Sequence, residues 1–153
     1  MTAELDGYYA DACVTVPVGT VVPSRLRLVA AGQAALRQAI ATARAGTPIN
    51  EIGRTVQRVV TARGYSVCRE LTGHGIGRRI HEWPTVLNYD EPGHSQPLTR
   101  GLVITIEPII SAGTGAVYQS RDGWTIKITD KAAAAHVEHT IVITDHAPVL
   151  ITV

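Results

Sequence analysis

Four residues whose side chains can bind a cation or move a proton stand among apolar or glycine neighbours in this chain. They are Asp11 in YYADAC, His74 in TGHGIG, Glu107 in ITIEPII and Glu138 in HVEHTIV. Carboxylates are seldom buried unless paired, hydrogen-bonded or bound to a metal. Glu107 and Glu138 each interrupt a run that otherwise suits a sheet interior. Three carboxylates and one imidazole brought together would form a hard, mostly oxygen site. Such a site suits Mn²⁺, Fe²⁺, Co²⁺ or Zn²⁺ rather than a thiolate-bound structural zinc. The four lie far apart in sequence, so spacing alone does not join them. Taken singly, a strand glutamate is more often on a solvated face or in a salt bridge with an arginine than bound to a metal. His74 carries a further mark. The stretch GHGIGRRIHEWP, residues 73–84, sets His74 and His81 seven positions apart and flanks only the first with glycine on both sides. Glycine permits positive φ and a close main-chain approach, so the stretch reads as a glycine turn that brings His74 up to a ligand.

Composition bounds what such a site could serve. The chain has 153 residues, 45% of them hydrophobic and 18% charged, which is enough apolar material for one domain with a core. A net charge of +1 without a basic run removes the electrostatic footprint of a nucleic-acid binder or a membrane-surface protein. No apolar stretch is long enough to span a bilayer, and MTAELDGYY lacks the basic and apolar regions of a secretion signal. Two cysteines, Cys13 and Cys68, make no disulfide framework and read as small buried hydrophobes, in keeping with a cytoplasmic chain.

The elements that must position these residues form an α+β pattern. Residues 2–5 and 8–18 flank Asp6-Gly7, a type I′ turn pair, and read as a hairpin. A helix follows Pro23-Ser24, with Ser24 as N-cap, Leu26, Val29, Leu36 and Ile40 on one side, and Gly46 at its close. A second helix begins near Glu51 with Asn50 as cap, carries Ile52, Val56, Val59 and Val60 at helical spacing, and ends at Gly64. Residues 65–71 look extended, and the chain after Pro84 is loop-rich up to Thr99. From Gly101 onward, GLVITIEPII, WTIKIT, HVEHTIVIT and APVLITV are short β-branched runs broken by Gly, Pro and Asp. Two helices packed on a mostly antiparallel sheet are expected.

Taken together, GHGIGRRIHEWPTVLNY, GLVITIEPII, DGWTIKITD and AAAAHVEHTIVIT resemble type I methionine aminopeptidases, members of the pita-bread metallopeptidases. The resemblance runs from the first hairpin to the last strand. Prolidases and aminopeptidase P share the glycine-histidine motif but carry an Arg-Ile-Glu type sequence at the last ligand, where this chain reads His136-Val137-Glu138-His139-Thr140. The resemblance implies that Asp11, His74, Glu107 and Glu138 ligate metal, with Asp11 and Glu138 bridging. It implies that His81 contacts substrate near the scissile amide, and that Ile80 and Trp124 line the methionine pocket. The implied chemistry is metal-assisted amide hydrolysis with Glu107 shuttling the proton. The implied substrate is a nascent polypeptide whose N-terminal methionine precedes a small residue. His94, His136, His139 and His146 match no role, and an exposed or locally bonded place is expected for each. The competing reading is an inactive fragment or non-catalytic pita-bread binding module that keeps one metal site.

The same resemblance marks departures. YYADAC replaces the family's Gly-Asp-Thr/Ser around Asp11, and the family's first ligand is an aspartate one position before the residue aligned with Met1. Residues 1–153 are therefore expected to form a single, N-terminally truncated domain, mainly the C-terminal half of the fold. One divalent ion is expected, its second position weakened. An uncovered apolar face near residues 2–9 is expected to favour a dimer. Reading the coding DNA upstream of Met1 tests the truncation. An in-frame segment carrying that aspartate is expected, and a stop codon directly before position 1 would contradict it.

Overall fold

Asp6 and Gly7 take φ of 51° and 79°, the two left-handed residues that a type I′ turn requires. They join β1 (Thr2–Leu5) to β2 (Tyr8–Asp11) in an antiparallel pair. The computed structural model describes residues 1–152. The second strand is shorter than expected. Beyond Asp11 only Cys13 makes a bridge, to Glu138, and Val14, Val16 and Val18 lie exposed on the way to the first helix. All four residues of β1 are exposed.

Helix α1 (Pro23–Thr42) starts on its proline, whose fixed φ suits the first helical position. Val22 is the N-cap, so Ser24 lies inside the first turn and caps nothing. The buried face also differs from the expected one. It consists of Leu28, Ala31, Ala35, Leu36 and Ala39, whereas Leu26 is 42% exposed and Val29 and Ile40 only flank the core. The helical period runs through the alanines, which a search for large apolar side chains passes over. In α2 (Asn50–Thr61) the four expected apolar residues are all buried. Ile49 is its N-cap, and Asn50 instead donates from Nδ2 to Asp90 Oδ1 at 3.3 Å.

The strands that follow are short: β3 (Ser66–Val67), β4 (Gly73–Gly75), β5 (Glu82–Val86), β6 (Val103–Ile106) and β7 (Ile109–Ser111). They continue with β8 (Val117–Gln119), β9 (Ile126–Ile128), β10 (Ala134–His136), β11 (His139–Val142) and β12 (Val149–Leu150). Only two of residues 65–71 are strand, and the stretch expected to be loop from Pro84 contains the end of β5. One sheet has the order β12-β11-β6-β4-β5, a second β10-β7-β3, and β8-β9 stands as a hairpin. Every pairing is antiparallel. The two helices pack on each other, α1 also on β6, β7 and β10, and α2 on β3 and β5. Ile104, Ile106, Ile110, Ile141 and Ile143 meet Ile52, Val56 and Val60 in the core. The architecture is α+β, as expected. Among the described residues no helix is long and apolar enough to cross a membrane.

The stretch around His74 is a strand, not a turn. Neither Gly73 nor Gly75 has positive φ; what they supply is space. A Cβ on Gly73 would lie 2.5 Å from the Thr105 carbonyl oxygen, and one on Gly75 would lie 2.2 Å from that of Trp83. Glycine is needed there for close approach, and the β-bulge between His74 and Gly75 re-aims the chain. Gly75→Ala is expected to destabilise the chain by about 2–3 kcal/mol. Urea unfolding would show this as a lower midpoint at unchanged slope.

Candidate metal centre

Strand register alone brings the acids together. β6 pairs with β11 so that Thr105 faces Thr140 and Ile106 faces His139. Carried one residue further, this register sets Glu107 beside Glu138. The Cys13–Glu138 bridge then lays the chain after β2 along the other side of Glu138. Asp11 thereby comes opposite Thr140, whose Oγ1 accepts from the Asp11 amide at 2.9 Å and donates to the Asp11 carbonyl at 2.7 Å. Thr105 serves the other acid. Its Oγ1 donates to Glu107 Oε1 at 3.0 Å and accepts from the His74 amide, also at 3.0 Å. Asn88 Nδ2 donates to the Glu107 carbonyl at 2.9 Å and holds the turn after β6.

His74 Nδ1 lies 2.9 Å from the Gly75 carbonyl. A carbonyl can only accept, so Nδ1 carries the proton and the neutral ring turns the Nε2 lone pair inward. That Nε2 is 3.4 Å from Glu107 Oε1. His81, exposed, packs edge-on against His74 with ring centroids 4.4 Å apart. Both imidazoles line a cavity of about 420 Å³ together with Asp11, Glu107 and Glu138.

A fifth side chain enters the same cavity. His136 Nε2 stands 3.3 Å from Glu107 Oε2 and 3.8 Å from Glu138 Oε2. The sequence reading expected this histidine to be exposed or locally bonded. The signal that would have found it is the period of two in AHVEH, which puts His136 and Glu138 on one face and turns Val137 into the core. Thr15 fixes the strand there, donating from Oγ1 to the His136 carbonyl at 2.7 Å and accepting from its amide at 3.0 Å.

The Met1 amino group is 3.7 Å from Asp11 Oδ1. Among the described residues no lysine or arginine pairs with Asp11, Glu107 or Glu138, so the arginine alternative for a strand glutamate fails here. Glu138 Oε1 and His136 Nε2 are buried without a hydrogen-bond partner. Two triads, Asp11–His74–Glu138 and Glu107–His136–Glu138, each place their ligand atoms within 4.8 Å of one another. Oxygen and imidazole donors facing inward, two of them orphaned, fit a divalent metal.

Comparison with known proteins agrees with this chemistry. Residues 1–145 match metallopeptidase family M24. The chain belongs to that family. It is 37% identical to methionine aminopeptidase 2 of Bacillus subtilis, over 99% of this chain and 61% of that protein. It is 39% identical to the methionine aminopeptidase of Escherichia coli K12, over 99% of this chain and 58% of that protein. The solved methionine aminopeptidase of Rickettsia prowazekii superposes with a TM-score of 0.96 at 37% identity, covering 99% of this chain and 62% of that one. The Pyrococcus furiosus prolidase superposes at 0.77 with 26% identity, covering 99% of this chain and 39% of that one. The M24 chain thus has the expected pita-bread fold and spans about three-fifths of the length of the curated relatives it matches. Membership of a metallopeptidase family implies use of a divalent metal.

The remaining expected residues of the M24 chain fall as follows. Ile80 is half-buried between β4 and β5, and Trp124 is 87% exposed near the tip of the β8–β9 hairpin; neither lines the cavities that His74 lines. His94 Nε2 bonds the Thr85 carbonyl at 2.7 Å, His139 Nδ1 lies 3.1 Å from Thr152 Oγ1, and His146 is exposed. Cys68 is wholly buried, as expected, and burial pushes its thiol up to about 11. Cys13 is half-buried at the cavity wall, its thiol raised by burial and by Glu138.

Burial, and after it the charges of Glu107 and Asp11, push the Glu138 carboxyl up to about 8. In the unfolded chain the same group ionises near 4.5. Between these values the folded, metal-free state binds more protons than the unfolded one, so stability falls as pH rises. The melting temperature of the chelator-treated M24 chain is expected to decline from about pH 5 to pH 8, and Glu138→Gln is expected to flatten the decline. Differential scanning fluorimetry across that range checks both.

Proposed function

We propose that this chain removes the N-terminal methionine from nascent polypeptides by metal-dependent amide hydrolysis in the cytoplasm. The observation that carries the reading is the convergence of Asp11, His74, Glu107 and Glu138 in one cavity with His81 at its rim. It is supported by relatives named methionine aminopeptidase at 35–42% identity. Asp11, His74, Glu107 and Glu138 would hold a divalent ion, drawn from Mn²⁺, Fe²⁺, Co²⁺ and Zn²⁺. When bound, the ion supplies charge stabilisation for a developing oxyanion and brings water into the range of a neutral-pH nucleophile.

The chain's own groups handle the rest. Glu107 is 8% exposed; its Oε1 accepts from Thr105 and its Oε2 faces His136. In the reaction Glu107 accepts one proton from the attacking water as the carbon–oxygen bond forms. It returns that proton to the amine nitrogen as the carbon–nitrogen bond breaks. His81, exposed beside His74, would hold the scissile amide against the acids. Ile80 and Trp124, which the resemblance gives to the methionine side chain, stand outside the cavity that holds the acids. Thr105 holds the Glu107 carboxylate and Thr140 the Asp11 backbone through neutral hydroxyls, and the Met1 amino group stands 3.7 Å from Asp11 Oδ1.

The test is release of methionine from Met-Ala-Ser by the chain loaded with Mn²⁺ or Co²⁺. Glu107→Gln is expected to lower turnover by roughly 10²–10⁴-fold, and an Ala-Pro substrate is expected to stay intact. A folded, metal-loaded chain that releases no methionine would overturn the assignment.

A further inference from the structure

Glu107 turns its two oxygens to different partners. Oε1 faces Thr105 Oγ1 and His74 Nε2, while Oε2 faces His136 Nε2 at 3.3 Å. The last contact is not a hydrogen bond, for His136 Nε2 is buried and has no hydrogen-bond partner. It is a separation that shared ligation explains. Two donor atoms each about 2.1 Å from one ion, at roughly 90–110° to each other, lie about 3.0–3.5 Å apart. Glu138 is 3% exposed, and its Oε1 also lacks a partner. Its Oε2 lies 3.8 Å from the same imidazole nitrogen.

We infer that His136 is a metal ligand, and that Glu107, His136 and Glu138 form a second divalent-cation position beside the one built on Asp11 and His74. The two positions would share Glu138, the residue common to both triads. An imidazole suits the same borderline cations as the first position. The strand that carries His136 is held at that residue by Thr15, whose hydroxyl bonds both its amide and its carbonyl. A ligand-bearing backbone fixed in this way is what a metal position requires of its surroundings. The inference rests on the metal-centre reading above and extends it to a residue outside the ligand set that the family resemblance implied.

Calorimetric titration of the chelator-stripped chain with Co²⁺ tests it. Two equivalents are expected for the unaltered chain. His136→Gln, close in size and polar, is expected to keep the first and weaken the second by about 100-fold. His136→Cys gives a direct optical readout. A thiolate-to-cobalt charge-transfer band should appear with the second equivalent, above the baseline that the unaltered chain, with its own Cys13, provides. Unchanged stoichiometry and affinity in His136→Gln, with no added band in His136→Cys, would overturn the inference and reduce His136 to an ion-pair partner of Glu107. Absence of any Co²⁺ or Mn²⁺ binding by the unaltered chain would instead overturn the metal centre as a whole. The two failures are thereby distinguished.

Discussion

Antiparallel register is the constraint on which this molecule depends. Residues 103–111 run against 134–142 in a single register, interrupted only where Pro108 breaks the ladder between β6 and β7. Residues 11–15 then lie along the outer side of 136–140. Because side chains alternate faces along a strand, these pairings send Asp11, Glu107, His136 and Glu138 to one side. Val137, Ile106 and Ile141 go to the core. A slip of one residue in the central pairing would exchange the two sets, burying acids in hydrocarbon and baring isoleucines. The same apolar packing that holds the fold therefore aims the site.

The acids would repel one another in any arrangement, and the structure answers with neutral braces. Threonine hydroxyls bond the Asp11 backbone, the Glu107 carboxylate and the His136 backbone, from Thr140 and Thr105 in strand ladders and from Thr15 in the segment after β2. Packed helices behind the sheets supply the rigidity. The alanine-rich face of α1 lies against α2 and the strands that carry the ligands, with little side-chain freedom to lose on burial.

Much of this was legible in the residues, and the limits were physical. Helix α2 could be read because large β-branched side chains mark its buried face. Helix α1 was read only in part: Leu36 is buried and Val29 and Ile40 flank the core, but Leu26 is exposed and most buried positions are alanine. Asp6-Gly7 named its turn correctly, since few dipeptides accept two left-handed residues. Gly73 and Gly75 were rightly singled out, but for a turn. A sequence gives no sign of the neighbouring carbonyls that make a side chain there impossible. His136 was passed over because resemblance gave it no role, although the two-residue period from Glu138 was visible. Trp124, expected near the substrate, stands at a hairpin tip away from the cavities around His74, a placement that only long-range topology decides.

The threonine braces carry a consequence of their own. A guanidinium or ammonium in their place would cancel part of the local potential before any ion arrived. The Thr105 and Thr2 hydroxyls hold the Glu107 and Asp11 carboxylates, at 3.0 and 3.1 Å, and add no charge of their own. Capture of a free cation is thereby steered over roughly a Debye length, about 8 Å at physiological ionic strength. The speed of loading is then a property of the surrounding electrolyte as much as of the protein.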